Sequence, residues 1–238
     1  MSVLQSRARR AGVIYLVMSA LAAPALLLLP NFIVAGDPAA TAQRIAAGEQ
    51  IYRLLMLGQL AGSILFVVLG WSLYNLFESV DRRQSLLLLL LVVVSSTLGI
   101  IDVALLSPPL IFRSGSNFLS VFSPQQLDAL SLALLRIRSM ELSANEALWG
   151  LWLVPFGFLV MKSGFIPKVI GALLLVASVG YVAMSVAYIA WPTGVVAVDR
   201  IGMVLIQGEL AVILWLLIRG ARSEAVSPRL EMEKALLR

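Results

Sequence analysis

Long uninterrupted stretches of apolar side chains, separated by short polar segments, set the pattern of this chain. Six stretches stand out, roughly 11–33, 51–77, 85–106, 143–162, 167–191 and 201–218. Each reaches the length of about 20 mainly apolar residues that an α-helix needs to cross a hydrocarbon core about 30 Å thick. Lipid offers no partner to an unsatisfied backbone group, so a spanning segment is either a helix or a strand of a closed barrel. The run from Leu86 to Val94 does not alternate as a barrel strand must, and helices are expected throughout. Six spans occupy about 120 positions, which leaves short connections and no room for a separate soluble domain. The expected fold is an all-α membrane protein, a six-span transmembrane helical bundle over 11–220, with a basic segment at 1–10 and a charged tail at 221–238.

Two of the polar connections carry helix-start signals. Asp37-Pro38 supplies an N-cap and a proline at the first helical position, and Ala39, Ala42, Ile45 and Ala46 recur on one face until Gly48. Ser123-Pro124-Gln125-Gln126 forms a capping box, followed by the stripe Leu127, Leu130, Leu134 and Ile137. These predict two amphipathic surface helices at the outer side of the bundle, packed in the interface or over its mouth. On the other side, Glu78 to Gln84 and Lys162 to Lys168 read as tight turns, with Gly164 ending one helix and Pro167 starting the next. Within the second span, Gly58-Gln59-Leu60-Ala61-Gly62 is a G-x-x-x-G, which admits close approach of another backbone. That backbone belongs either to the same bundle or to a second copy, through Gly58 and Gly62.

Charge gives the orientation. Of the basic residues, 12 fall on one side of the six spans: Arg7, Arg9, Arg10, Arg82, Arg83, Lys162, Lys168, Arg219, Arg222, Arg229, Lys234 and Arg238. The other 6, Arg44, Arg53, Arg113, Arg136, Arg138 and Arg200, fall opposite. The excess of Lys and Arg marks the cytoplasmic side, so both termini are expected to be cytoplasmic. Trp149, Trp152 and Trp191 then lie near outer ends of spans, as headgroup anchors. Basic Arg7 to Arg10 and the A-x-A pattern Ala20-Leu21-Ala22 imitate a signal peptide, but the apolar run continues to Leu29 and is read as a first span.

Composition narrows the chemistry. Hydrophobic residues make up 60% of the 238 and charged ones 13%, and mean hydropathy is +0.95, so much of the surface must face lipid. The basic surplus is dispersed between spans and is read as topology, with no nucleic acid as partner. Cys is absent, which removes disulfides, thiolate nucleophiles and Cys-ligated metals. His is absent as well, and with it go Ser-His-Asp hydrolysis, His-rich metal sites and bis-His haem. No metal or cofactor is expected. Asp and Glu remain available as acid and base, so an enzyme is not excluded, although the absence of an activated nucleophile argues against one.

The segment Phe156 to Gly171, which contains Lys162-Ser163-Gly164-Phe165-Ile166-Pro167-Lys168, with Gly180-Tyr181 downstream, resembles the bacterial membrane family called domain of unknown function 4386. Gly36 to Ala42 followed by Tyr52-Arg53-Leu54 resembles that family's first outer loop and second span. Phe122 to Leu127 with Leu134-Leu135-Arg136 resembles its third-span exit. The similarity covers roughly residues 8 to 220. It implies a six-span protein of the bacterial inner membrane and no assigned chemistry.

Charges at membrane depth are the candidate functional groups, because each costs at least about 2.5–3.5 kcal/mol to insert. Glu209 is the clearest, near the middle of the run Ile201 to Ile218 beside Gln207 and Gly208. It is a candidate for binding a proton or cation, or a polar tie to a neighbouring helix. Asp102, just before Ser107-Pro108-Pro109, and Arg53, at the outer start of span two, lie at comparable depth and are expected to form an ion pair. Glu141, Asn145 and Glu146 at the start of span four are expected to complete a polar mouth. Two functions remain open: binding or transport of a small molecule or ion through a polar site among Glu209, Asp102, Arg53 and Glu146, or a non-catalytic scaffold or lipid-associated accessory protein. The bilayer is the one certain partner, and convergence of those four side chains on one cavity would favour binding.

Overall fold

The computed structural model describes residues 3–191 and 193–221. Every regular element among them is helical: α1 (Val3–Leu28, continued by a 3₁₀ turn to Phe32), α2 (Pro38–Ala47), α3 (Glu49–Phe77), α4 (Arg82–Leu105), α5 (Pro108–Phe112), α6 (Pro124–Ser163), α7 (Lys168–Ala190), α8 (Val195–Leu205) and α9 (Gly208–Ile218), with one further 3₁₀ turn at Asn117–Leu119. Six segments are long and apolar enough to cross a membrane: Val3–Phe32, Glu49–Phe77, Arg82–Phe112, Pro124–Ser163, Lys168–Ala190 and Val195–Ile218. The protein is a multi-pass membrane bundle. The charged tail from Arg222 onward, with the basic residues assigned to it, lies outside the described residues.

The local signals act where the sequence places them. The Asp37 carboxylate accepts from the Ala40 amide at 2.9 Å and starts α2, and Gly48 follows its end. Ser123 and Gln126 cap each other reciprocally at 3.2 and 2.8 Å. The helix that starts there is not a separate surface element, however. It runs unbroken through span four as one 40-residue helix, because neither Gly nor Pro occurs between Pro124 and Gly150. At 1.5 Å per residue it is about 60 Å long, more than the roughly 40–45 Å of a whole bilayer, so one end projects beyond the membrane. Gly164 ends it in the left-handed conformation, with φ of 71°.

The six spans form a ring in chain order. Span one packs on α3, α3 on α4, α4 on α6 and α6 on α7; α7 packs on both α8 and α9, and α9 returns to α1 and closes the ring. Gly58 and Gly62 are part of this closure: a Cβ on either would come within 2.6 Å of the Leu21 carbonyl oxygen or 2.7 Å of the Ala22 Cβ on α1. The small-residue face is therefore occupied within the chain. Leu54, Leu57, Ile64, Val68 and Trp71 on α3 are exposed at helical spacing and form its lipid face, whereas Gln59, Ser63, Ser95, Ser96 and Asn145 are buried inside.

Two apolar clusters fill the ring at different heights. The larger, containing Ala8, Leu73, Phe77, Leu88, Phe156, Val160, Ile170 and Leu216, lies toward the end that carries Arg7 and Arg9. There Arg7 donates to the Asn75 carbonyl at 3.0 Å and Arg9 to the Ile218 carbonyl at 3.3 Å, near the last turns of α3 and α9, where cations are favoured. Lys162 meets Asp81 at 2.8 Å across the two short turns at the same end. The smaller cluster, containing Ala25, Leu29, Ile45, Tyr52, Leu106 and Leu135, lies toward the opposite end. Tyr52 donates there to the Leu106 carbonyl at 2.8 Å, just where Ser107-Pro108-Pro109 stops α4.

Candidate functional site

Between the two clusters lies a cavity of about 220 Å³ to which all six spans contribute. Tyr15 and Ser19 come from α1, Gln59 and Ser63 from α3, Ser95 and Ser96 from α4, Asn145, Trp149 and Trp152 from α6, Tyr181 from α7 and Glu209 from α9. The volume exceeds the roughly 150 Å³ of an engineered cavity that admits benzene.

Glu209 reaches the cavity through a local irregularity of span six. The regular ladder is interrupted between α8 and α9, and the amides of Gln207, Glu209 and Leu210 bond three residues back instead of four, at 3.3, 3.1 and 3.0 Å. Such a tightened turn inside a span is uncommon and often marks a hinge. Gly208 lets α9 press on α7 at this point, since a Cβ there would stand 2.7 Å from the Leu173 carbonyl oxygen. Beyond the turn, α8 packs chiefly on α7 and buries only Gly202, whereas α9 buries Val212, Ile213 and Leu216.

The Glu209 carboxylate accepts a 2.6 Å hydrogen bond from the Tyr15 hydroxyl, and Tyr181 also interacts with it. No basic side chain among the described residues lies within ion-pair distance of it. Rings packed on one another line the same cavity: Tyr15 and Trp152 at 6.0 Å, Phe66 and Trp152 edge-to-face at 5.2 Å, and Trp149 and Tyr181 edge-to-face at 5.9 Å. Trp149 and Trp152, expected as headgroup anchors, thus face into the bundle; only Trp191 of the three is exposed. Across the cavity, Asn145 is held by Ser95, accepting from its hydroxyl at 2.6 Å and donating to its carbonyl at 3.2 Å. The Ser96 hydroxyl is buried without a hydrogen-bond partner among the described residues. Gln59, largely buried as a residue, also borders the cavity. Unpaired buried polar groups are costly and call for an explanation, commonly a water or a ligand.

The four charges proposed for one site do not converge. Glu209 alone borders the cavity. Asp102 does not pair with Arg53; it pairs side-on with Arg138, Nε to Oδ1 at 2.8 Å and Nη2 to Oδ2 at 3.1 Å, both side chains being almost wholly buried. The reason is rotation about the helix axis. Tyr52, Leu55 and Gln59 face inward on α3, so Arg53, one residue and about 100° on, points out and pairs with Glu49 at 2.8 Å on the surface. Arg138 lies on the buried stripe Ser131, Leu135, Arg138 and Asn145 of α6, opposite Asp102 on α4. Arg138 is therefore a structural partner inside the bundle and not a topology signal. Glu141, one turn further along α6, interacts with Asp102, and Glu146 lies toward Asp199 of α8.

Comparison with known proteins agrees with this architecture. The model of the family described as a domain of unknown function, DUF4386, matches residues 10–220, and the chain belongs to that family. An uncharacterized protein of Archaeoglobus fulgidus is 32% identical over 137 residues, which cover 55% of this chain and 80% of the relative. No solved structure matches the chain.

Proposed function

We propose that this member of the family binds a small solute or ion inside its six-span ring, at the Glu209 cavity, and carries it along the bundle. The observation that supports the reading is a combination: Glu209, a carboxylate with no basic partner among the described residues, faces a cavity whose lining also holds the unpartnered Ser96 hydroxyl and the Gln59 side chain. Polar groups cost free energy in a bundle unless they are paired. Here Asp102 is paired with Arg138 and Glu141 lies beside that pair, while Glu209, away from both, is met only by hydroxyls. The tightened turn beside Glu209 gives the reading a moving part, as irregular helices do at the sites of many transporters. In this reading the protein sits in the cell's inner membrane with both termini cytoplasmic, as the excess of Lys and Arg at one end favours.

The scaffold reading is favoured by a different observation, that Arg53, Asp102 and Arg138 are all engaged in contacts with a structural role. Vesicles loaded with a pH-sensitive dye separate the two. Transport predicts a solute- or pH-driven flux through the wild-type protein that Glu209→Gln removes while the fold is kept. Flux equal to that of empty vesicles for both proteins, with an effect of the substitution on thermal stability alone, would leave the scaffold reading standing.

A further inference from the structure

We propose that the solute is a small organic cation, an alkylammonium held by the Glu209 carboxylate and by aromatic faces. The inference rests on the reading of the Glu209 cavity as a binding site and specifies its ligand.

The sign of the charge comes first. The lining contains one acidic side chain and no Lys or Arg, and the Tyr15 hydroxyl at 2.6 Å is a donor aimed at the carboxylate, the arrangement that holds a negative charge in place. A carboxylate in a low-dielectric bundle with no counter-charge needs either a proton or a cationic guest. An anion would meet repulsion and no compensating donor of positive charge.

The nature of the cation follows from the walls. Tyr15, Phe66, Trp149, Trp152 and Tyr181 all border the cavity, and Trp152 is backed by Phe156, stacked on it at 5.4 Å. A divalent metal asks for about six oxygens in a compact shell, and among the described residues no group of three acidic side chains exists to begin one. Aromatic rings beside a single carboxylate suit instead a cation whose charge is spread over carbon and hydrogen, as in recognition of quaternary and methylated ammonium groups. The volume of about 220 Å³ admits a molecule of a few carbons. The unpartnered Ser96 hydroxyl is then available to any N–H that the ammonium still carries, or to a water travelling with it.

The test uses the full chain in lipid nanodiscs and four probes of matched shape: tetramethylammonium, tert-butylammonium, neutral tert-butanol and anionic pivalate. Titration calorimetry and tryptophan fluorescence, with Trp149 and Trp152 in the wall as reporters, read saturable binding. The two ammonium ions are expected to bind and the alcohol and the anion not to. Glu209→Gln is expected to weaken the ammonium ions at least about tenfold, and Trp149→Ala by about three- to thirtyfold. The comparison of charged and neutral probes needs no variant, so it stands even if a substitution impairs folding. Equal binding of tert-butanol and tetramethylammonium would overturn the cation while leaving the cavity a binding site. Absence of saturable binding by all four probes would overturn the inference and count against the site itself.

Discussion

The Tyr15 hydroxyl donates to the Glu209 carboxylate at 2.6 Å and so joins the first span to the last at the point where the ring of helices closes. The two residues are 194 positions apart in sequence, and the two helices meet closely at Gly12, where a Cβ would stand 2.7 Å from the Leu217 amide nitrogen. Tyr15→Phe removes the donor and keeps the ring. It is expected to cost about 1–3 kcal/mol, the range for a hydrogen bond to a carboxyl group. Reversible unfolding in mixed micelles checks the value. A cost under a few tenths of a kcal/mol would show that the contact is incidental.

The buried Asp102–Arg138 pair makes a sharper prediction by contrast with Arg53. Arg138→Ala leaves a buried carboxylate without its partner and should destabilise by about 3–5 kcal/mol. Arg53→Ala, removing a surface pair with Glu49, should cost no more than about 1 kcal/mol. The double variant Asp102→Leu with Arg138→Leu should recover most of the loss, since hydrophobic replacement of a buried pair is often nearly neutral. The same unfolding assay on all three variants decides the point.

Much of this architecture is legible in the sequence, because a bilayer leaves few options: apolar runs of the right length must be helices, and Asp37 and Ser123 mark two of the helix starts. What the sequence conceals is rotation. Arg53 and Asp102 are expected at comparable depth from the sequence, but depth does not say which way a side chain turns. The inward stripe through Ser131, Leu135 and Arg138 was the available signal that Arg138 faces the bundle. The cavity was harder to foresee, since Tyr15, Trp149, Trp152, Tyr181 and Glu209 come from four spans and meet only when the ring closes. Trp149 and Trp152 carry the same signature as headgroup anchors. Glu209 itself was visible as a charge where charge is costly, and Gln207-Gly208 beside it was the trace of the tightened turn.

The interhelical fit at Gly62 predicts a steric effect. Gly62→Leu would drive a side chain into Ala22 of α1, where even a Cβ stands at 2.7 Å, and overpacking of this kind costs about 1–3 kcal/mol. Light scattering in detergent should show the same oligomeric state for variant and wild type, since the face is occupied within the chain. A change of oligomeric state with stability intact would point to a contact between copies instead.

Acid should loosen the turn contact between Asp81 and Lys162. The hydrogen bond from the Lys162 ammonium, at 2.8 Å, is the main reason that the Asp81 carboxyl is held below the usual carboxylate range. A group with a depressed value stabilises the fold above its unfolded-state value and loses that contribution as pH falls through the folded-state one. Stability against pH should therefore fall less on the acid side in Asp81→Asn than in the wild type, by a small amount because the pair is solvent-exposed. Parallel acid limbs in the two proteins would show that the pair contributes nothing.

Orientation is testable because the chain contains no Cys, so any introduced one is unique. With cytoplasmic termini, Ser116→Cys should react with an impermeant maleimide on intact cells and Ser79→Cys only after permeabilisation. The reverse pattern would invert the topology.

The same property gives the most direct test of the Glu209 cavity as a solute site. Ser96→Cys places a thiol in its wall. In protein reconstituted into vesicles, this thiol is predicted to react faster with 2-aminoethyl methanethiosulfonate than with the 2-sulfonatoethyl reagent, and tetramethylammonium is predicted to slow the reaction. A thiol unreactive until the protein is denatured, or equally reactive toward both reagents and unprotected, would contradict the account.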